Sequence, residues 1–191
     1  MFKTIVSVAS VIATISIAAT ALAEPFSSKT ITPVFKLPES AAPVAVWTCD
    51  VDPAIASVTL TKGARPGQVR VSYVVVNAGA TAWRSGAGQQ VATLNVVNSA
   101  TGALRTFNRT LPTAAAPGAT LAAVTTPTMA APFDHMEFGG TVEASIVYDP
   151  DIAIDGNICN DDQNLDNNSI RLSAETVLAF LSGPASSQTY R

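Results

Sequence analysis

Between Tyr148 and Ser169 the chain gathers Asp149, Asp151, Asp155, Asp161, Asp162 and Asp166, together with five asparagines and Cys159. Carboxylates and amide carbonyls are the oxygen donors of which a hard cation such as calcium takes six to eight. Asp162-x-Asn164-x-Asp166-Asn167 matches the first positions of a calcium-binding loop, with Asn167 in place of the turn glycine. The twelfth position is Ser173 rather than an acid, which rejects the helix–loop–helix form of such a site. A register starting at Asp151 keeps Asp155, Gly156 and Asp162 but puts Ala153 at a liganding place. Asp162, Asn164 and Asp166 therefore stand as the candidate metal ligands. The alternative has its own mechanism. Asp and Asn side chains bond their own backbone and accept left-handed angles, so a long turn before a strand collects them, and the double asparagine Asn167-Asn168 would tie the loop to the end of the domain. Six carboxylates in a short span repel one another unless solvated, capped by amides or neutralised. Calcium and architecture both stay open, and no other cofactor is expected.

Other chemistries find less. The single histidine, His135, sits in Phe133-Asp134-His135-Met136-Glu137, a loop-like setting where a surface residue is expected rather than a general base. There is no Gly-x-Ser-x-Gly elbow, phosphate loop or histidine-based zinc spacing. Catalysis needs a nucleophile with a base, paired carboxylates in a cleft, or a metal with an open position. The sequence shows no familiar arrangement of this kind, so no enzyme is expected and no catalytic residue is assigned.

The ends of the chain bear on its compartment. Lys3 precedes an apolar stretch from Ile5 to Leu22, and Ala21-Leu22-Ala23 supplies small residues for cleavage before Glu24. Residues 1–23 thus read as a secretory signal peptide, and no later segment is long and apolar enough to span a bilayer. Eleven basic residues less Lys3, against fourteen acidic ones, leave the mature chain at about −4. That balance argues against nucleic acid, which needs clustered Lys and Arg. Two cysteines in an exported chain suggest one disulfide, Cys49 to Cys159.

The elements that would carry the acidic loop are strands. Residues 24–46 hold Pro25, Pro33, Pro38 and Pro43 and read as an extended linker. Within it, Thr30–Leu37 has strand-type residues that could lie along a sheet edge, in this molecule or a neighbour. From Trp47 onward, short strand-like runs alternate with turn residues: 55–61, 68–77, 91–98, 104–111, 119–125 and 141–148. The clearest alternation places Val69, Val71, Tyr73 and Val75 on one face. Asn77-Ala78-Gly79 ends that run with residues tolerant of left-handed angles, and Trp83 is expected in the core. Ser99–Gly102 is expected to turn a hairpin. Ile170 and Leu172 begin what reads as the last strand; residues 175–191 follow as a C-terminal tail, with Ala174–Leu181 open between a short helix and a strand extension and Ser182–Arg191 expected to fray. The pattern predicts one all-β domain over residues 47–174, a sandwich of seven or eight strands.

Tyr73-Val-Val-Val-Asn77-Ala-Gly79, Pro117-Gly118 before a strand, and Tyr148-Asp149…Asp162…Asp166-Asn167-Asn168 before the last strand together resemble a CARDB-type domain (cell-adhesion-related domain in bacteria). The likeness covers roughly residues 48–173. The long acidic loop with Cys159 and the alanine-rich middle depart from it. The resemblance implies an immunoglobulin/fibronectin III-like sandwich acting as a binding or adhesion module, without catalytic residues, in a bacterial periplasm or at the cell surface. The expectation is thus an exported, non-enzymatic module for a protein or glycan partner. The alternatives are a structural subunit of a surface assembly and a calcium-stabilised domain.

Overall fold

The computed structural model describes residues 49–134, 136, 137, 139–150 and 152–191. The expected signal peptide (1–23), the linker with Thr30–Leu37, His135 and Asp151 lie outside the described residues.

Ten strands appear among the described residues: β1 (Pro53–Lys62), β2 (Val69–Asn77), β3 (Trp83–Arg84), β4 (Gln90–Val97), β5 (Leu104–Thr110), β6 (Ala114–Ala115), β7 (Thr120–Thr125), β8 (Thr141–Tyr148), β9 (Ser169–Leu172) and β10 (Ser187–Tyr190). One α-helix, α1, spans Ala174–Ser182. The strands form two four-stranded antiparallel sheets, ordered β10-β1-β2-β7 and β5-β4-β8-β9, and a small β3–β6 ladder. The connections β2 to β4, β5 to β7 and β7 to β8 pass from one large sheet to the other. This is the all-β sandwich expected from the sequence.

The sandwich follows from period-2 patterning on both sheets. Val69, Val71, Tyr73 and Val75 of β2 are fully or almost fully buried, and so are Ala92, Leu94 and Val96 of β4 and Val142 and Ala144 of β8. They meet in one hydrophobic cluster with Val58, Leu60 and Leu172. The Tyr73 hydroxyl crosses between the sheets and donates to the Ala92 carbonyl at 3.2 Å. Trp83 is fully buried, and its indole N–H donates to the Pro112 carbonyl at 3.0 Å. A buried indole needs such a partner, because an unpaired donor costs about 1–3 kcal/mol. The expected hairpin joins β4 to β5. The Asn98 side chain accepts from Ala100 and Thr101 N–H, and Gly102 takes φ +69°.

Two expectations need correction. Gly79 does not appear among the positive-φ residues, so left-handed freedom is not its role. A Cβ there would lie 2.3 Å from the Asp50 carbonyl oxygen and 2.7 Å from Asp52 N, so the segment before β1 passes against bare backbone. In the tail region 175–191 the short helix is the alternative that forms, as α1, whereas Ser187–Tyr190, expected to fray, form β10. Ser173 caps the helix by accepting from Thr176 N–H at 3.3 Å, while Val177 and Phe180 pack into the core. The helix closes with Gly183 N–H on the Ala179 carbonyl, and Pro184 follows. β10 then pairs along β1 from Val58↔Tyr190 to Thr61↔Ser187. Ile170 and Leu172 therefore belong to the penultimate strand.

Candidate functional site

β8 sends alternate side chains inward, and this phase carries Tyr148 into the end of the sandwich at the moment the strand ends. Its hydroxyl donates to Asp162 Oδ2 at 2.7 Å. Asn168 Nδ2 donates to the same oxygen at 2.6 Å, and Asp162 Oδ1 accepts from Asn164 N–H at 2.9 Å. Burial, then the bond to Asp162, pushes the Tyr148 phenol far above its ordinary pKa. It therefore stays a neutral donor. Asn164 in turn caps a 3-10 turn at Leu165–Asn167 by accepting from Asp166 N–H at 3.3 Å. Hydrogen bonds to a charged acceptor contribute about 1.5–3 kcal/mol each, so this carboxylate organises the second half of the loop.

The double asparagine before β9 anchors the loop in two directions. Asn168 reaches Asp162 inside the loop, whereas Asn167 Nδ2 donates to both oxygens of Asp52, at 2.8 and 3.0 Å, just before β1. Gln163 N–H adds a bond to the Val51 carbonyl at 3.1 Å.

The first half of the loop has a different hub. Asp155 Oδ2 accepts from Gln89 Nε2 at 2.8 Å and from Asn160 Nδ2 at 2.9 Å, and Oδ1 accepts from Asn157 N–H at 2.6 Å. The Asn160 bond, then those of Asn157 and Gln89, hold the Asp155 carboxyl below its ordinary pKa. Gln89 Oε1 also accepts from Gly86 N–H at 2.6 Å, linking this hub to the turn before β4. The disulfide Cys49–Cys159 ties the same half to the start of β1, with Cα atoms 5.0 Å apart. Beside it, Arg84 N–H donates to the Cys159 carbonyl and Asn157 Nδ2 to the Arg84 carbonyl, at 3.1 and 3.0 Å.

The loop is thus tied to the sandwich by one covalent bond and two carboxylate hubs. Of the candidate metal ligands, Asp162 spends both oxygens on internal donors and Asn164 spends its carbonyl on the 3-10 turn. Among the described residues no three His, Cys, Asp or Glu side chains are grouped to hold a metal ion. The bonds of Asp162 and Asn164 are the ones the architectural alternative expects. Gln89, Asp52 and Asp155 were not singled out from the sequence as anchors. Asp155-Gly156 carries a turn signal, but nothing along the chain links Asp155 to Gln89 or Asn167 to Asp52, 66 and 115 residues away.

Fold and site together define an all-β sandwich bearing a disulfide-anchored polar loop at one end. No protein-family model matches the chain, and neither curated proteins nor solved structures give a match. No helix among the described residues is long and apolar enough to cross a membrane.

Proposed function

We propose that this protein is an exported, non-enzymatic binding module that presents the Tyr148–Ser169 loop to a protein partner, in the manner implied by its likeness to CARDB-type domains. One observation carries the reading. Among the described residues, three of the six large exposed hydrophobic side chains, Ile154, Ile158 and Leu165, stand on this one loop, at 83, 44 and 69 % exposure. Apolar side chains held in water by a stapled scaffold cost solvation and contribute nothing to the core, which is the pattern of a recognition surface. Export is supported by residues 1–23 and agrees with a disulfide. The test is a binding screen against envelope proteins and glycans with an Ile154→Ser/Leu165→Ser variant. Loss of a protein interaction in a variant of unchanged Tm supports the reading. A turnover activity abolished by substituting one carboxylate overturns it.

A second reading, a subunit of a surface assembly, has a different observation in its favour. The outer edge of the first sheet is β7, Thr-Leu-Ala-Ala-Val-Thr, which contains no charge and no proline. Edge strands are usually blunted by such residues, as β5 is by Arg105 and Arg109. Thr30–Leu37 of a neighbouring copy is the strand this reading would add there. A protein that stays monomeric at high concentration, with or without that segment, refutes it.

A further inference from the structure

Along one flank of the sandwich the outer edges β5 and β7 face each other across a cleft of about 460 Å³, lined by Phe107, Asn108, Arg109, Ala123, Val124 and Thr125. The other two edges, β9 and β10, are joined by α1, which packs Val177 and Phe180 into the core. No described element covers the β5–β7 flank in that way. On β7 the Thr126 N–H bonds the Val71 carbonyl, and Val124 stands opposite Tyr73. The alternation of an antiparallel ladder then turns the backbone N–H and C=O of Ala123 and Thr125 away from β2, to the free edge. Both residues are exposed. Such a row of unpaired groups is a template for one more strand.

β5 supplies the chemistry beside that edge. Its register sets Arg105, Phe107 and Arg109 opposite Val96, Leu94 and Ala92, which are buried in the core. Directly opposite residues share a face, so the two guanidinium groups flank Phe107 on the core side of the strand. Phe107 is half-buried against the core, whereas both arginines are exposed. Neither has an ion pair or a side-chain hydrogen bond among the described residues. The sequence explains this: no Asp or Glu occurs between Asp52 and Asp134, the stretch from which β1 to β7 all come.

The flank thus offers strand hydrogen bonds, an apolar centre of Phe107 and Val124, and two uncompensated positive charges. Two arginines are not the clustered Lys and Arg that nucleic acid needs. A small anion makes no use of a bare edge or of Phe107. An extended chain bearing carboxylates uses all three features, because its side chains on one face recur about every 7 Å, as Arg105, Phe107 and Arg109 do.

We propose that this flank binds an acidic segment of a partner protein as a strand added to β7, with the pattern carboxylate–x–apolar–x–carboxylate. The apolar side chain lies on Phe107 and Val124, and the carboxylates meet Arg105 and Arg109. This surface is other than the Tyr148–Ser169 loop, and the inference does not depend on what that loop binds.

The test is an amide NMR titration of the disulfide-intact protein with the blocked peptide Thr-Glu-Thr-Val-Thr-Glu-Thr, which reads alike in both strand directions. An analogue with both Glu replaced by Gln and a peptide of residues 30–37 serve as comparisons. Saturable shifts at Phe107, Ala123 and Thr125 are expected with the acidic peptide, together with slowed exchange of the Ala123 and Thr125 amides. The Gln analogue should bind at least tenfold more weakly. Arg105→Gln/Arg109→Gln, at exposed positions, should weaken the acidic peptide at least tenfold without altering Tm. Absence of saturable shifts, equal binding of the Gln analogue, or indifference to the double variant overturns the proposal. Binding that leaves both amides exchanging freely overturns it too, as a charge contact without an added strand. Tighter binding of the residue 30–37 peptide overturns it in favour of the surface-assembly reading. Each of these outcomes leaves the loop reading standing, which falls on its own turnover assay.

Discussion

Replacing Cys49 and Cys159 by serine tests whether the loop belongs to the cooperative fold or merely hangs from it. The bridge closes a sequence separation of 110 residues. In the chain-entropy treatment a closure of that length limits the unfolded ensemble by about 4.8 kcal/mol at 25 °C, a large share of the ~5–15 kcal/mol typical of a domain. The folded state should survive the change. Arg84 N–H still reaches the Cys159 carbonyl, Asn157 still reaches Arg84, and Asn167 still holds Asp52. The loss therefore falls mainly on the unfolded side of the equilibrium. In urea, with a slope of about 2 kcal/mol/M, the midpoint should drop by roughly 2 M. Buried Trp83 gives a fluorescence probe of the core, and hydrogen exchange at residues 152–168 probes the loop. Both should report the same shifted transition. If the variant loses less than about 1 kcal/mol, the entropic reasoning fails. If exchange rises only in the loop while Trp83 fluorescence keeps its midpoint, the loop is an independently opening unit and its cooperative anchoring is refuted.

Three further outcomes are expected. Asp155 has a folded-state pKa below its unfolded value, so its stabilisation is present above the ordinary aspartate range and is lost as pH falls through the lowered folded value. The Tm gap between the wild type and Asp155→Asn should accordingly narrow below about pH 4, and a gap independent of pH would contradict this assignment. Calcium and chelator should give the same Tm, because Asp162 and Asn164 already spend their oxygens on the loop. A chelator-sensitive Tm abolished by Asp162→Ala or Asp166→Ala would restore the calcium-stabilised alternative. Deleting residues 187–191 should cost about 2 kcal/mol in chemical unfolding, since it removes the β10 ladder and the Thr59–Thr189 and Thr61–Ser187 hydroxyl pairs at 2.8 and 3.2 Å. An unchanged midpoint would return this segment to the status of a tail.

What could be read along the chain divides by the range of the interaction. The β2 and β8 faces were legible because burial imposes a two-residue period on every strand that covers a core, as at Val69, Val71, Tyr73 and Val75. β10 was not legible, because Ser187, Gln188 and Thr189 are exposed and have no apolar face to display. Its place is fixed by hydroxyls and backbone groups on β1, 126 to 132 residues away by the register Val58↔Tyr190 and Thr61↔Ser187. The same division runs through the loop. Asn164 and Asp166, singled out as candidate metal ligands, meet within the loop through a short-range turn bond of the kind Asn side chains make with nearby backbone. The double asparagine was legible as a tie to the sandwich, but its partner Asp52 and the Asp155–Gln89 pair act across the fold, and single-residue identity cannot announce such a partner.

That division bears on function. Two of the loop's acids, Asp155 and Asp162, are hubs of the anchoring. Each accepts three hydrogen bonds, and both oxygens of Asp52 accept from Asn167 Nδ2, so these charges serve geometry. An acidic loop built only for architecture has no need of exposed Ile154, Ile158 and Leu165, and it is these side chains, not the anchored acids, that the Ile154→Ser/Leu165→Ser binding screen interrogates.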